Sequence, residues 1–172
     1  DHPRSRGLGD VYKRQIYNFL IKNKFYDPRI LNNLGSIYSQ IKQIDKAILL
    51  FEESIKKYPG AIFIMGHSGY DSFLVKLTYL DSCIELAKKY ENVYIEPGAL
   101  GSRKASEILP IYLKRMKEEG IIDRVIYGSD GPQFPGYTAS HLNNMIDAME
   151  EVGYTGLEMK AVLESNFERV FD

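Results

Sequence analysis

Three short loops hold the side chains of this sequence best suited to chemistry. Gly66-His67-Ser68-Gly69 carries an imidazole, Glu96-Pro97-Gly98 a carboxylate, and Gly128-Ser129-Asp130-Gly131-Pro132 a second carboxylate. Each loop is glycine-rich and follows a short apolar run. In a parallel α/β fold, ligands and catalysis sit at the carboxyl ends of strands. His67, Glu96 and Asp130 would then converge on one rim, which favours an enzyme site over a purely structural sheet. Each residue also has a plainer reading. His67 could be a buried histidine satisfied by a loop carbonyl. Asp130 could be an Asx-turn or helix-cap residue ahead of Gly131-Pro132. Glu96 could be a solvent-facing loop carboxylate before Pro97.

The elements that must position these loops alternate strand and helix. Ala61-Ile62-Phe63-Ile64-Met65, Asn92-Val93-Tyr94-Ile95 and Arg124-Val125-Ile126-Tyr127 suit strands buried on both faces of a parallel sheet. Helical periodicity predicts a helix from about Ser72 to Tyr90, with Phe73, Leu77, Leu80, Ile84 and Ala87 on one face. A second runs from about Ala105 to Glu119, with Ile108, Ile111, Tyr112 and Met116. A third, Tyr137 to Val152, carries His141, Met145, Ala148 and Met149, and the last spans Leu157 to Phe171 after Thr155-Gly156. This order means βαβ units with right-handed crossovers and three adjacent parallel strands. With strands about 4.8 Å apart and one strand between them, His67 and Asp130 should lie within about 10 Å. His141 sits in a helix and is isolated.

Composition narrows the class. The chain has 172 residues, 44% hydrophobic and 26% charged, enough for a core and too apolar for a disordered tail. Lys plus Arg is 22 and Asp plus Glu is 23, giving a net charge of −1. That balance argues against a nucleic-acid partner and against a polybasic membrane patch. No apolar run approaches the roughly 20 residues that span a bilayer. Cys83, the single cysteine, cannot form an internal disulfide, and a soluble, reducing, cytoplasmic setting is the expectation. The histidines are His2, His67 and His141, too few for a multi-histidine metal site within this chain.

The first fifteen residues read differently from the rest. Ser5-Arg6-Gly7-Leu8-Gly9-Asp10-Val11-Tyr12-Lys13-Arg14-Gln15 resembles the in-frame translation of a transposase adapter used in sequencing libraries. It has no apolar periodicity, and it is set aside from fold reasoning as a non-native tail, residues 1–15, with the true N-terminus lost. Residues 16–59 then read as a helical hairpin. Ile16, Phe19 and Leu20 mark a short amphipathic helix, and Asp27-Pro28 punctuates the chain. Leu31, Leu34, Gly35, Tyr38, Ala47, Phe51 and Pro59 follow at a spacing that resembles one tetratricopeptide repeat. Gly35 and Ala47 let two helices approach, Leu34, Tyr38 and Phe51 fill the space, and Asp45 can cap the second helix. The resemblance implies partner binding through a groove, although about three repeats are needed for a stable array.

Residues 60–172 resemble the C-terminal part of amidohydrolase-related proteins, a group of metal-dependent hydrolases and decarboxylases. Tyr58 to Gly69 is similar to their sixth-strand segment, Ala87 to Ile95 to the approach to the seventh strand, and Arg124 to Pro132 to the eighth-strand Gly-Ser-Asp motif. Asn166-Phe167-Glu168-Arg169-Val170-Phe171 is similar to their closing Asn-x-x-Arg-x-Phe helix. The resemblance implies a partial (β/α)8 barrel, its last three βα units, in an α/β fold. It implies that Asp130 binds a divalent metal, Zn or Mn in a complete member, and orients or deprotonates the metal-bound water. It implies that His67 assists near the metal and polarises a small carboxylic or cyclic substrate, with Glu96 a weaker substrate contact. The first-strand His-x-His pair and the fifth-strand histidine have no counterpart, so a fragment that is inactive alone, with weak metal binding or none, is expected. Lys56-Lys57-Tyr58-Pro59-Gly60 fits both halves, so the junction is either a chimeric reading frame or a genuine, degenerate fusion. The competing class is a non-enzymatic interaction module of the tetratricopeptide type.

Overall fold

The computed structural model describes residues 3–25, 27–71, 74–102, 105, 107–131 and 134–171, with the backbone alone for residues 3–10 and Pro28. His2, Ser72, Phe73, Ser106 and Pro132 lie outside the described residues. The chain divides into two compact units, Asp1–Ala61 and Ile62–Asp172.

The first unit is helical. Helix α1 (Pro3–Lys22) starts on a proline, which suits a first turn, and runs on through the adapter-like string. Helix α2 (Pro28–Gln40) is capped by Asp27, whose carboxylate accepts the Arg29 N–H at 2.8 Å. Helix α3 (Ile44–Lys57) begins after Gln43, so Asp45 lies inside its first turn and contributes charge there rather than a cap. Leu31, Leu34, Ile37, Ala47, Ser54 and Ile55 are buried between α2 and α3. A Cβ added at Gly35 would stand 2.6 Å from the Phe51 ring, so glycine is what lets the two helices close on each other there.

The second unit is α/β. Strand β1 (Phe63–Gly66) pairs in parallel with β2 (Val93–Glu96), Phe63 opposite Val93 and Gly66 opposite Glu96. Helices α4 (Leu80–Lys89), α5 (Leu109–Glu118) and α6 (Tyr137–Glu151) follow, and a C-terminal helical segment comprises α7 (Gly156–Lys160), a π-turn (Ala161–Ser165) and α8 (Asn166–Phe171). Val93 and Ile95 of β2 are wholly buried, whereas β1 alternates, with Ile64 exposed. The expectation that every run is buried on both faces therefore holds for β2 and fails for β1.

The third expected strand is also corrected. Ile122–Arg124 is a 3-10 turn, and Val125 makes one isolated parallel bridge to Ile95, with the Ile126 N–H donating to the Ile95 carbonyl at 2.9 Å. The direction is parallel, but the run stops after one bridge because its next groups are taken elsewhere. In the π-turn the Asn166 N–H bonds back to Ala161 instead of Val162. That leaves the Val162 carbonyl outside the usual helix ladder, and it accepts the Tyr127 N–H at 3.0 Å. The Asn166 side chain donates to the Ile122 and Val125 carbonyls, each at 2.8 Å. Arg169 adds a bond to the Asp123 carbonyl. The closing Asn-x-x-Arg segment thus seals this edge.

Two helices begin later than their periodicity suggested. Residues 71 and 76 form an isolated antiparallel bridge and Val75 is left-handed at φ 52, so the chain is not helical at these positions, and α4 opens at Leu80. Pro110 in its first turn fixes where α5 opens. The buried face of α5 is Leu109, Tyr112, Leu113 and Met116, and Ile111 points to solvent. The face of α6 is His141, Met145, Ala148 and Met149. The last helix opens on a capping box between Thr155 and Glu158. Among the described residues, no helix is long and apolar enough to cross a membrane.

Candidate active site

The ends of β1 and β2 and the residues after the Val125 bridge lie side by side, and each leads into a tight turn. His67 and Ser68 follow β1 directly with φ of 61 and 45, and Asp130 has φ 46. Non-glycine residues in the left-handed region each cost about 1–3 kcal/mol and persist only where surrounding contacts hold them. Here those contacts are visible. The Ser68 hydroxyl donates to the Glu96 carbonyl at 2.8 Å and lies 3.2 Å from the buried Tyr112 hydroxyl. The Tyr137 ring lies over Gly131, where a Cβ would overlap it.

These turns bring His67 and Asp130 together. His67 Nε2 stands 3.2 Å from Asp130 Oδ2, and each side chain is 45% exposed. That exposure decides what the pair can do, because a small molecule at the rim reaches both groups. The carboxylate orients the ring and favours the proton on Nε2, leaving Nδ1 as the nitrogen that can accept one.

Glu96 ends β2 beneath this pair. Its Oε1 accepts the Gly98 N–H at 2.6 Å, and Oε2 accepts the His67 N–H at 3.4 Å. A Cβ at Gly98 would come within 2.8 and 2.9 Å of the two oxygens, and one at Gly128 would overlap the carboxylate. The glycines on either side are therefore the space this carboxylate occupies. Burial pushes Glu96 above the usual carboxylate range. The two backbone N–H groups and the His67 imidazole pull it back, while the Asp130 charge pushes it further up. Both oxygens are thus engaged by backbone, and Glu96 faces the loops more than open solvent.

His141, expected to be isolated, is part of this region. It is buried on α6, with Nε2 at 2.5 Å from the Gly98 carbonyl and Nδ1 at 3.3 Å from the Tyr127 hydroxyl. The Tyr127 ring meets it edge-on with centroids 5.7 Å apart. One sequence signal could have found it. A histidine on the apolar face of a helix needs a buried hydrogen-bond partner, and a glycine-rich loop offers a bare carbonyl.

The divalent metal that the resemblance implies needs a full set of donors. A catalytic zinc site takes three protein ligands and a water. Among the described residues, no group of three His, Cys, Asp or Glu side chains is placed to hold a metal ion. His67 and Asp130 supply two donors already bonded to each other, and the Glu96 oxygens are held by N–H groups. The described residues do not fit a complete metal centre.

A model of the amidohydrolase family matches residues 24–172 of the chain, a stretch that takes in α2 and α3 as well as the α/β unit. No curated protein and no solved structure matches it.

Proposed function

The chain belongs to the amidohydrolase family, and on that premise we propose that it is the C-terminal part of the catalytic barrel of a hydrolase or decarboxylase. Its substrate is a small carboxylic or cyclic molecule, and α2 and α3 form a tetratricopeptide-like repeat ahead of the barrel segment. The observation that carries this reading is the His67–Asp130 pair, 3.2 Å apart and half-exposed where the parallel strands end. In hydrolysis by the complete barrel, His67 Nδ1 would take the proton from an attacking water, and the Asp130 carboxylate would stabilise the imidazolium that forms. Glu96, held by the Gly98 and His67 N–H groups, braces the turn that carries His67.

The donor set stops short of a metal centre, so this chain alone binds Zn²⁺ or Mn²⁺ weakly and turns over no substrate. Calorimetric titration with each metal, with assays on lactones and aromatic carboxylic acids, tests it on the purified chain and on Asp130→Asn. We expect metal binding no tighter than millimolar and no turnover. Metal-dependent turnover that disappears in Asp130→Asn would show instead a chain complete in its own ligands.

A further inference from the structure

A continuous line of contacts runs from the buried face of α6 to the half-exposed pair. His141 Nε2 faces the Gly98 carbonyl at 2.5 Å. A carbonyl only accepts, so this nitrogen carries the proton and donates. One turn further along α6, the Asn144 side chain donates to the Gly101 carbonyl at 2.9 Å. Helix α6 therefore grips both ends of the 3-10 turn Gly98–Gly101 by their carbonyls. The same Gly98 residue presents its N–H to Glu96 Oε1 at 2.6 Å. It is also tightly enclosed, since a Cβ on it would stand 3.1 Å from the Asp130 Cβ as well as against the Glu96 oxygens. Glu96 Oε2 in turn takes the His67 N–H at 3.4 Å.

Gly98 is thus the piece of backbone set between the Glu96 carboxylate and Asp130, and His141 is the buried side chain that holds it. We propose that His141 is a positioning residue, which through the Gly98 backbone fixes the Glu96 carboxylate beneath the His67–Asp130 pair. This deepens the reading of the rim as a reactive site and rests on it for its purpose, but the coupling itself is independent of turnover. The packing around His141 agrees with a fixed orientation. Gly101 leaves the space its ring fills, Tyr127 meets the ring edge-on, and the Tyr127 hydroxyl faces Nδ1. Both nitrogens therefore have partners, and a rotated ring would lose both.

The test follows the Gly98 amide in the full chain by NMR hydrogen exchange, using His141→Asn, His141→Gln and Tyr154→Phe. Glutamine places its amide nitrogen near the position of Nε2 and can donate to the Gly98 carbonyl. Asparagine is too short to reach it. Tyr154→Phe removes a buried hydrogen bond of similar kind, from the Tyr154 hydroxyl to the Leu113 carbonyl at 2.9 Å, away from this line of contacts. Losing one net hydrogen bond should speed Gly98 exchange by about fivefold to tenfold in His141→Asn. His141→Gln should restore most of the protection, and Tyr154→Phe should leave it unchanged. The proposal is overturned if Gly98 exchange is unmoved in His141→Asn, if glutamine rescues no better than asparagine, or if Tyr154→Phe gives the same acceleration. Because no turnover is read, a chain without any activity leaves this test intact, and an active chain with an uncoupled Gly98 still sinks it.

Discussion

The two units end their helices with the same backbone device and different residues. After α1 and α2 the chain turns through Lys24 and Lys42, with φ of 58 and 59; after α5 and α6 it turns through Gly120 and Gly153, with φ of 69 and 76. The bonds match in all four. Lys42 donates to Ser39 and Gln43 to Tyr38, both at 2.9 Å, as Gly120 donates to Lys117 and Ile121 to Met116, both at 3.1 Å. This is the Schellman closure, which favours glycine because a side chain is strained there. In the α/β unit glycine takes that role at these two helix ends. Among the described residues of this unit, the left-handed ones that bear side chains are Val75 in the loop before α4 and His67, Ser68 and Asp130 at the rim. Backbone strain is placed differently in the two units. The helical unit carries it at exposed lysines that serve only as ends. The α/β unit carries most of it where an imidazole and a carboxylate must stand, and holds it with Ser68, Tyr112 and the stacking of Tyr137 on Gly131.

The sharpest way to break this picture is to remove what closes the α/β unit. Asn166 is 1% exposed and donates to two backbone carbonyls; Ile122 also accepts the Val125 N–H at 3.1 Å, whereas the buried Val125 carbonyl depends on Asn166. Asn166→Ala should cost about 1–3 kcal/mol, the penalty of orphaning the buried Val125 carbonyl. Urea unfolding read by circular dichroism checks it, and a loss under about 1 kcal/mol would mean that water replaces the side chain at no cost.

A smaller effect tests the helix ends directly. Gly120→Lys should lose about 0.5–1 kcal/mol and Lys42→Gly should gain about as much, since left-handed strain is partly offset by glycine's greater freedom in the unfolded chain. Nothing lies within 4 Å of a Cβ at Gly120, so packing does not confuse the comparison. Thermal melts of the two variants should shift in opposite directions. Equal signs would show that the two turns are not equivalent.

The smallest effect concerns pH. Burial raises Glu96 in the folded state, so the folded chain holds its proton over a window that starts at the ordinary carboxylate value and ends at the raised one. Stability from this group is fully present below that window and falls as pH rises through it. Glu96→Gln removes the slope. The stability of the wild type relative to the variant should therefore decline as pH rises above the ordinary glutamate value of about 4.3, the reverse of the usual salt-bridged carboxylate. A difference that is flat or rises with pH would contradict the burial of this side chain.

Local pattern carried a definite share of this molecule. The buried face of α6 is legible as a 3.6-residue repeat, because His141, Met145, Ala148 and Met149 must face one way on any helix. The parallel direction of the runs follows from the helices between them, since a crossover returns the chain to the same edge. The loops carrying His67, Glu96 and Asp130 are legible because glycines cluster where apolar runs end. Other features depended on distant partners. Arg124–Tyr127 has the composition of a strand, but strand length is set by where neighbouring donors and acceptors lie, and here Val162 and Asn166 claim them. The side of α5 that Ile111 occupies was fixed by what packs against the helix, not by its apolarity. The 3.2 Å approach of His67 to Asp130, and the placing of His141 against Gly98, join residues 63 and 43 positions apart. Periodicity acts within a few residues along the chain, whereas these contacts are set by hydrogen bonds and close packing between segments that only folding brings together.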